Sequence, residues 1–125
     1  MIIFVTGSCG FIGSHVCETL LTNYPNYKIV GIDCISTFVY GFEQKIESRN
    51  LLCNYNNYSH IDDDIMNHNY MVDIKPDVII HLAGHGNVSK STTHPTSYIH
   101  NNVNVTTKLL HEIRLLKKIP LFLYA

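Results

Sequence analysis

The sequence predicts an α/β fold with a doubly wound parallel sheet, and three observations carry that expectation. Short apolar runs alternate with segments whose apolar residues recur at helical spacing, which implies parallel strands joined by helical crossovers. Three glycines spaced three apart, Gly7, Gly10 and Gly13, lie between the first apolar run and the first helical segment. The acid Asp33 closes the second apolar run, twenty residues after Gly13.

Residues 2–5 (IIFV) read as the first strand. The glycines after it let the backbone turn sharply and approach an anion. A helix over 11–21 then aims its free N–H groups and positive dipole end at that anion. The second strand, 28–32, ends at Asp33, whose carboxylate can accept from the adenosine ribose hydroxyls. Such an acid favours NAD and repels the 2′-phosphate of NADP. A helix over 43–53 leads to a less apolar strand over 58–61, and a short helix over 66–74 leads to a fourth strand, 78–82. The longest helix spans 97–117, with Ile99, Val103, Thr106, Leu110 and Ile113 at helical spacing. Pro95 and Thr96 mark its start; Lys117, Lys118 and Pro120 mark its end. The last strand is Leu121–Tyr124. It and 78–82 are apolar throughout, as expected of strands covered on both faces. The sum is a Rossmann-type sheet, truncated after about its fifth strand.

With 125 residues the chain is one domain, 1–125, or part of one. A formal net charge of −1 gives no electrostatic basis for binding nucleic acid or an anionic membrane. No apolar run reaches the ~20 residues that span a bilayer. The start, MIIFVTG, lacks the basic segment and long apolar core of a signal peptide, so a cytoplasmic location is expected. Cys9, Cys17, Cys34 and Cys53 form no C-x-x-C pair and read as small, mostly buried thiols. Neither His81 with His85 nor His94 with His100 has a third ligand at metal spacing, so no metal is expected.

In such a sheet ligands bind beyond the carboxyl ends of the strands. Asp62, Asp63, Asp64 and Ile65 follow the third strand, and the fourth runs into His81, Leu82, Ala83 and Gly84. Asp64 can accept from an adenine amino group, and the small Ala83 and Gly84 permit close passage of a nicotinamide ribose. Each feature has a plainer reading. An acidic triplet is usually a solvated loop, His81 a satisfied strand-end residue, and the small pair a tight strand exit.

Four stretches together resemble the NAD-dependent epimerase/dehydratase branch of the extended short-chain dehydrogenase/reductases. They are TGSCGFIGSHV (6–16), Asp33, Asp64 with Ile65, and PDVIIHLAGHGNVSKSTTHPTSYIHNNVNVTTKLL (76–110). The last is most like UDP-glucose/galactose 4-epimerases, whereas Tyr40, Lys45 and Arg49 resemble UDP-glucuronate 4-epimerases. The resemblance implies NAD as cofactor. It places Phe11 and Ile12 along the pyrophosphate, Asp33 on the ribose, and Asp64 and Ile65 around adenine. Leu82, Ala83, Gly84, His85, Gly86 and Asn101 would flank the nicotinamide half. The plainer reading of Asn101 and Asn102 is an exposed helix pair.

The family's chemistry is reversible hydride transfer at a nucleotide sugar, with a Ser/Thr and a Tyr-x-x-x-Lys pair that follow the fifth strand. No residue here matches them. Tyr24 and Lys28 have the spacing but lie at the amino end of the sheet, and Tyr40 and Lys45 are off by one. No catalytic residue is therefore named, and the substrate domain is expected to be absent from these 125 residues. A nucleotide sugar is expected as a partner only if a C-terminal portion or a second chain completes the site. The alternative is a non-catalytic NAD-binding module or an inactive remnant. An apolar last strand without a neighbour also predicts marginal stability and possible homodimerisation.

Overall fold

The computed structural model describes residues 1–35 and 41–125. Tyr40, singled out above for its spacing to Lys45 and Arg49, lies outside them. Five parallel strands form one sheet: β1 (Ile2–Thr6), β2 (Lys28–Asp33), β3 (Tyr58–Asp62), β4 (Val78–His81) and β5 (Leu121–Tyr124). Their order is β3-β2-β1-β4-β5. The chain winds outward from β1 to β3, then returns to the other side of β1 for β4. That reversal opens a crevice between the carboxyl ends of β1 and β4. Register aligns the crevice walls, with Thr6 beside Ile32 on one side and His81 on the other.

Strand alternation supplies two cores. Ile3, Val5 and Ile29 face helices α1 (Phe11–Asn23) and α2 (Phe42–Leu52) and pack with Cys17, Leu21, Leu52 and Tyr58. Phe4, Val30, Ile32 and Ile79 face the opposite layer and pack with Met71, Val105, Leu109 and Ile113. The latter come from α3 (Tyr70–Ile74) and α6 (Val105–Ile113), preceded in the chain by α4 (Val88–Thr93) and α5 (Pro95–Ile99). Helices on both faces complete the doubly wound arrangement. No helix among the described residues is long and apolar enough to cross a membrane.

Four local expectations change. The helix expected over 66–74 is a 3₁₀ turn, Ile65–Asn67, followed by α3, because His68 adopts extended dihedrals between them. The longest helix begins at Pro95 and ends at Ile113, and its middle, His100–Asn104, is a π-helical turn. A π turn rotates every later side chain relative to a regular helix. The buried stripe is Val105, Leu109 and Ile113, while Ile99, Val103 and Leu110 face outward. Only Cys9 and Cys17 are buried; Cys34 and Cys53 are exposed, one just past β2 and the other at the end of α2. Finally, β5 pairs with β4, and Leu121 and Leu123, on one face of it, are exposed rather than covered.

Candidate functional site

The glycine turn is held by its own backbone. Gly7 adopts a left-handed conformation, φ 68°, which turns the chain out of β1 at little cost only for glycine. Its N–H donates to the Ile32 carbonyl at 2.9 Å, tying the turn to β2. Gly13, inside α1, lets that helix press on the turn: a Cβ there would stand 2.0 Å from the Gly7 carbonyl oxygen. The cap residue Gly10 offers no side chain to the amides of the first helical turn, leaving them to meet a ligand.

At the end of β2 the Asp33 side chain is 4% exposed. One carboxylate oxygen accepts from the Cys9 N–H at 2.9 Å. The other meets the Lys45 ammonium, from α2, at 2.5 Å. Beyond β3, Asp64 accepts from the Met66 N–H and caps the 3₁₀ turn that carries Ile65. Asp63 accepts from Tyr70 and Asn67, and these hydrogen bonds hold its carboxyl below the usual carboxylate range.

The wall beyond β4 hangs on a buried histidine. Thr106 Oγ1 donates to the Asn102 carbonyl, so it accepts from His81 Nε2 at 2.8 Å. The Nδ1 atom then accepts from Thr6 Oγ1 at 2.6 Å. Thr6 Oγ1 in turn accepts from the N–H groups of Leu82 and Ala83. One neutral tautomer satisfies the whole chain, and burial lowers the His81 pKa to about 4. Further out, Asn102 brackets the loop, accepting from the His85 N–H at 2.7 Å and donating to its carbonyl at 3.0 Å. The Tyr98 hydroxyl donates to the Asn87 carbonyl at 2.6 Å. His85, against the Tyr98 ring, is pushed below the usual imidazole range by burial and by Lys45 and Lys90.

These pieces enclose one cavity of about 970 Å³, the size range of cofactor and substrate clefts. Among the expected site residues, Gly7, Gly10, Asp33, Asp64, Ile65, Leu82, Ala83, Gly84, His85, Gly86 and Asn101 line it. Gly13 acts from behind, through packing. Phe11 and Ile12 are highly exposed, and with His15, Val16, Thr19 and Leu20 they line an apolar groove on α1 instead. Lys45, Lys90 and Tyr98 line the cavity without having been expected there. The Lys45 spacing was visible, but nothing local tied it to Asp33. Asn102 was weighed only as an exposed helix residue; it lies within the π turn and holds the loop at His85.

The cavity suits a dinucleotide on structural grounds. Gly7 and Gly13, where a Cβ would collide with backbone, bring turn and helix together with the first helical amides open toward an anion, and a buried carboxylate flanks the turn.

The family model described as NAD dependent epimerase/dehydratase family matches residues 3–125. Among solved structures, UDP-glucuronic acid 4-epimerase from Bacillus cereus, in complex with UDP-glucuronic acid and NAD, is 33% identical with a TM-score of 0.88. It covers 99% of this chain, which spans 39% of that one. An uncharacterised protein of Methanocaldococcus jannaschii is 36% identical over 104 residues, 80% of this chain and 32% of its own length. The dTDP-glucose 4,6-dehydratase of Escherichia coli is 32% identical over 91% of this chain and 31% of its own. The chain thus spans about a third of these curated relatives.

Proposed function

Because the chain belongs to the NAD-dependent epimerase/dehydratase family, we propose that it is the NAD-binding part of a nucleotide-sugar epimerase or dehydratase. One observation carries the proposal: the glycine turn, buried Asp33 and the loop 82–86 close on a single cavity at the sheet's reversal point. The amides of the turn and of the first helical residues, Phe11 and Ile12 included, bind the diphosphate. The Asp33 carboxylate takes the adenosine ribose hydroxyls, with Asp64 and Ile65 beside adenine. The nicotinamide half lies against the loop 82–86 and Asn101. When bound, NAD supplies reversible acceptance of a hydride from the sugar.

The chain's own residues orient the dinucleotide and shield its diphosphate. None of them is assigned to take the proton from the sugar hydroxyl. Kinship to a 4-epimerase crystallised with NAD and a UDP sugar, and to dTDP-glucose dehydratases, supports a nucleotide sugar as the substrate class.

Calorimetric titration of the purified chain tests the reading. Saturable NAD binding is expected, weakened by about 1–3 kcal/mol in Asp33→Ala. Absence of saturable binding at millimolar NAD would overturn it. Unchanged affinity in the variant would remove Asp33 from the site.

A further inference from the structure

A lone acid at the end of β2 rejects a 2′-phosphate by charge, but Asp33 is not alone. Its outer oxygen is paired to Lys45 at 2.5 Å, and both side chains line the cavity. One helical turn along α2, Arg49 lies 3.8 Å from Asp62, and Asp62 also accepts from the Ile35 N–H. On the cavity lining itself Lys45 offsets the charge of Asp33, whereas Arg49 and Asp62 pair outside the lining and Asp63 and Asp64 remain on it. The share of Asp33 in repelling a phosphate dianion is thereby reduced.

Among the described residues Lys45 hydrogen-bonds Asp33 through one of the three N–H groups of its ammonium. The Lys45 side chain is 16% exposed against 4% for Asp33, so it forms the outer layer of the pair. A 2′-hydroxyl can donate to the remaining lone pairs of Asp33, and a 2′-phosphate can accept from the ammonium. Building on the NAD-binding reading above, we propose that Lys45 is a specificity-determining residue that admits dinucleotides bearing a 2′-phosphate as well as NAD.

The test is the ratio of dissociation constants for NADP and NAD, measured calorimetrically on the full chain and on Lys45→Met. Removing the ammonium should raise the ratio about tenfold, since it leaves the Asp33 charge facing the phosphate. A rise of more than about threefold supports the proposal, and a smaller change or a fall overturns it. A ratio taken on one protein sample cancels any loss of folded material.

The unmodified chain supplies a second measurement that needs no variant. NADP affinity should fall more steeply with added salt than NAD affinity, because one more charge pair forms. Parallel salt dependence overturns the proposal. If the unmodified chain binds no NAD, the parent reading falls and this one with it. Saturable NAD binding with an unmoved ratio overturns only the assignment to Lys45.

Discussion

The cavity has two walls built on different principles. On the β1–β2 side, the turn Gly7–Gly10–Gly13 and buried Asp33 are shaped by backbone conformation and close backbone approach. On the β4 side, the loop 82–87 is irregular and is held by side chains distant in the chain, Thr6, Asn102 and Tyr98, with His81 fixing Thr6. The first wall tolerates almost no added atoms, whereas the second depends on hydrogen bonds that substitutions can remove singly. A rigid diphosphate cradle thus faces a loop whose position is adjustable by its ties.

The same change made on each wall breaks or keeps this contrast. Gly13→Ala is the largest expected effect. Its Cβ would stand 2.0 Å from the Gly7 oxygen and 2.8 Å from the Gly7 carbon, forcing helix and turn apart. A loss of about 3 kcal/mol or more is expected in urea unfolding, together with loss of NAD binding. A variant as stable as the parent would show that the cradle yields.

His81→Leu comes next, at about 2–3 kcal/mol, because it leaves Thr6 and Thr106 without their buried partner. It also carries a pH signature. The folded chain keeps His81 neutral down to about pH 4, while the unfolded residue protonates near 6.5. As pH falls through that window the unfolded state gains the extra proton, so stability declines, by up to about 3 kcal/mol. His60 and His85 are lowered by burial too and act in the same direction. The difference between parent and His81→Leu urea midpoints from pH 7.5 to 4.5 isolates His81. Parallel pH profiles would show that His81 is not held neutral.

Asn102→Ala is expected to cost about 1–2 kcal/mol of stability, since it removes both bonds to His85. Faster hydrogen exchange at the His85 amide should accompany it. Unchanged exchange would mean that Thr6 and Tyr98 suffice to hold the loop. The smallest effect is Gly86→Ala. Nothing lies within 4 Å of its added Cβ, so stability should stay within about 0.5 kcal/mol of the parent. A large loss there would place a close neighbour where the structure shows open space.

The two walls also differ in how far they could be read in advance. Strand order along the chain, the glycine turn and Asp33 were all legible, because a turn–helix junction and an acid at a strand end are local patterns. Eleven of the expected site residues line the cavity, of which Ile65, Leu82, His85, Gly86 and Asn101 were expected from the family resemblance alone. The plainer reading of His81, a satisfied strand-end residue, holds: its two ring nitrogens are both paired. The face of the long helix was misjudged: apolar residues occur on both of its sides, and spacing alone did not tell the exposed Leu110 from the buried Leu109. The missed roles of Lys45 and Asn102 share a cause. Each is a polar helix residue whose partner, Asp33 or His85, is twelve or seventeen positions away.

What belongs to the sequence is the class of the fold and the dinucleotide-type turn, since short-range sterics and hydrophobic period specify both. Which side chains close the site belongs to the packing of the sheet. Only the order β3-β2-β1-β4-β5 brings Thr6 beside His81, seventy-five residues later, and leaves Lys45 over the acid. A buried polar group must find its partner wherever the fold delivers one, and no local pattern names that partner beforehand.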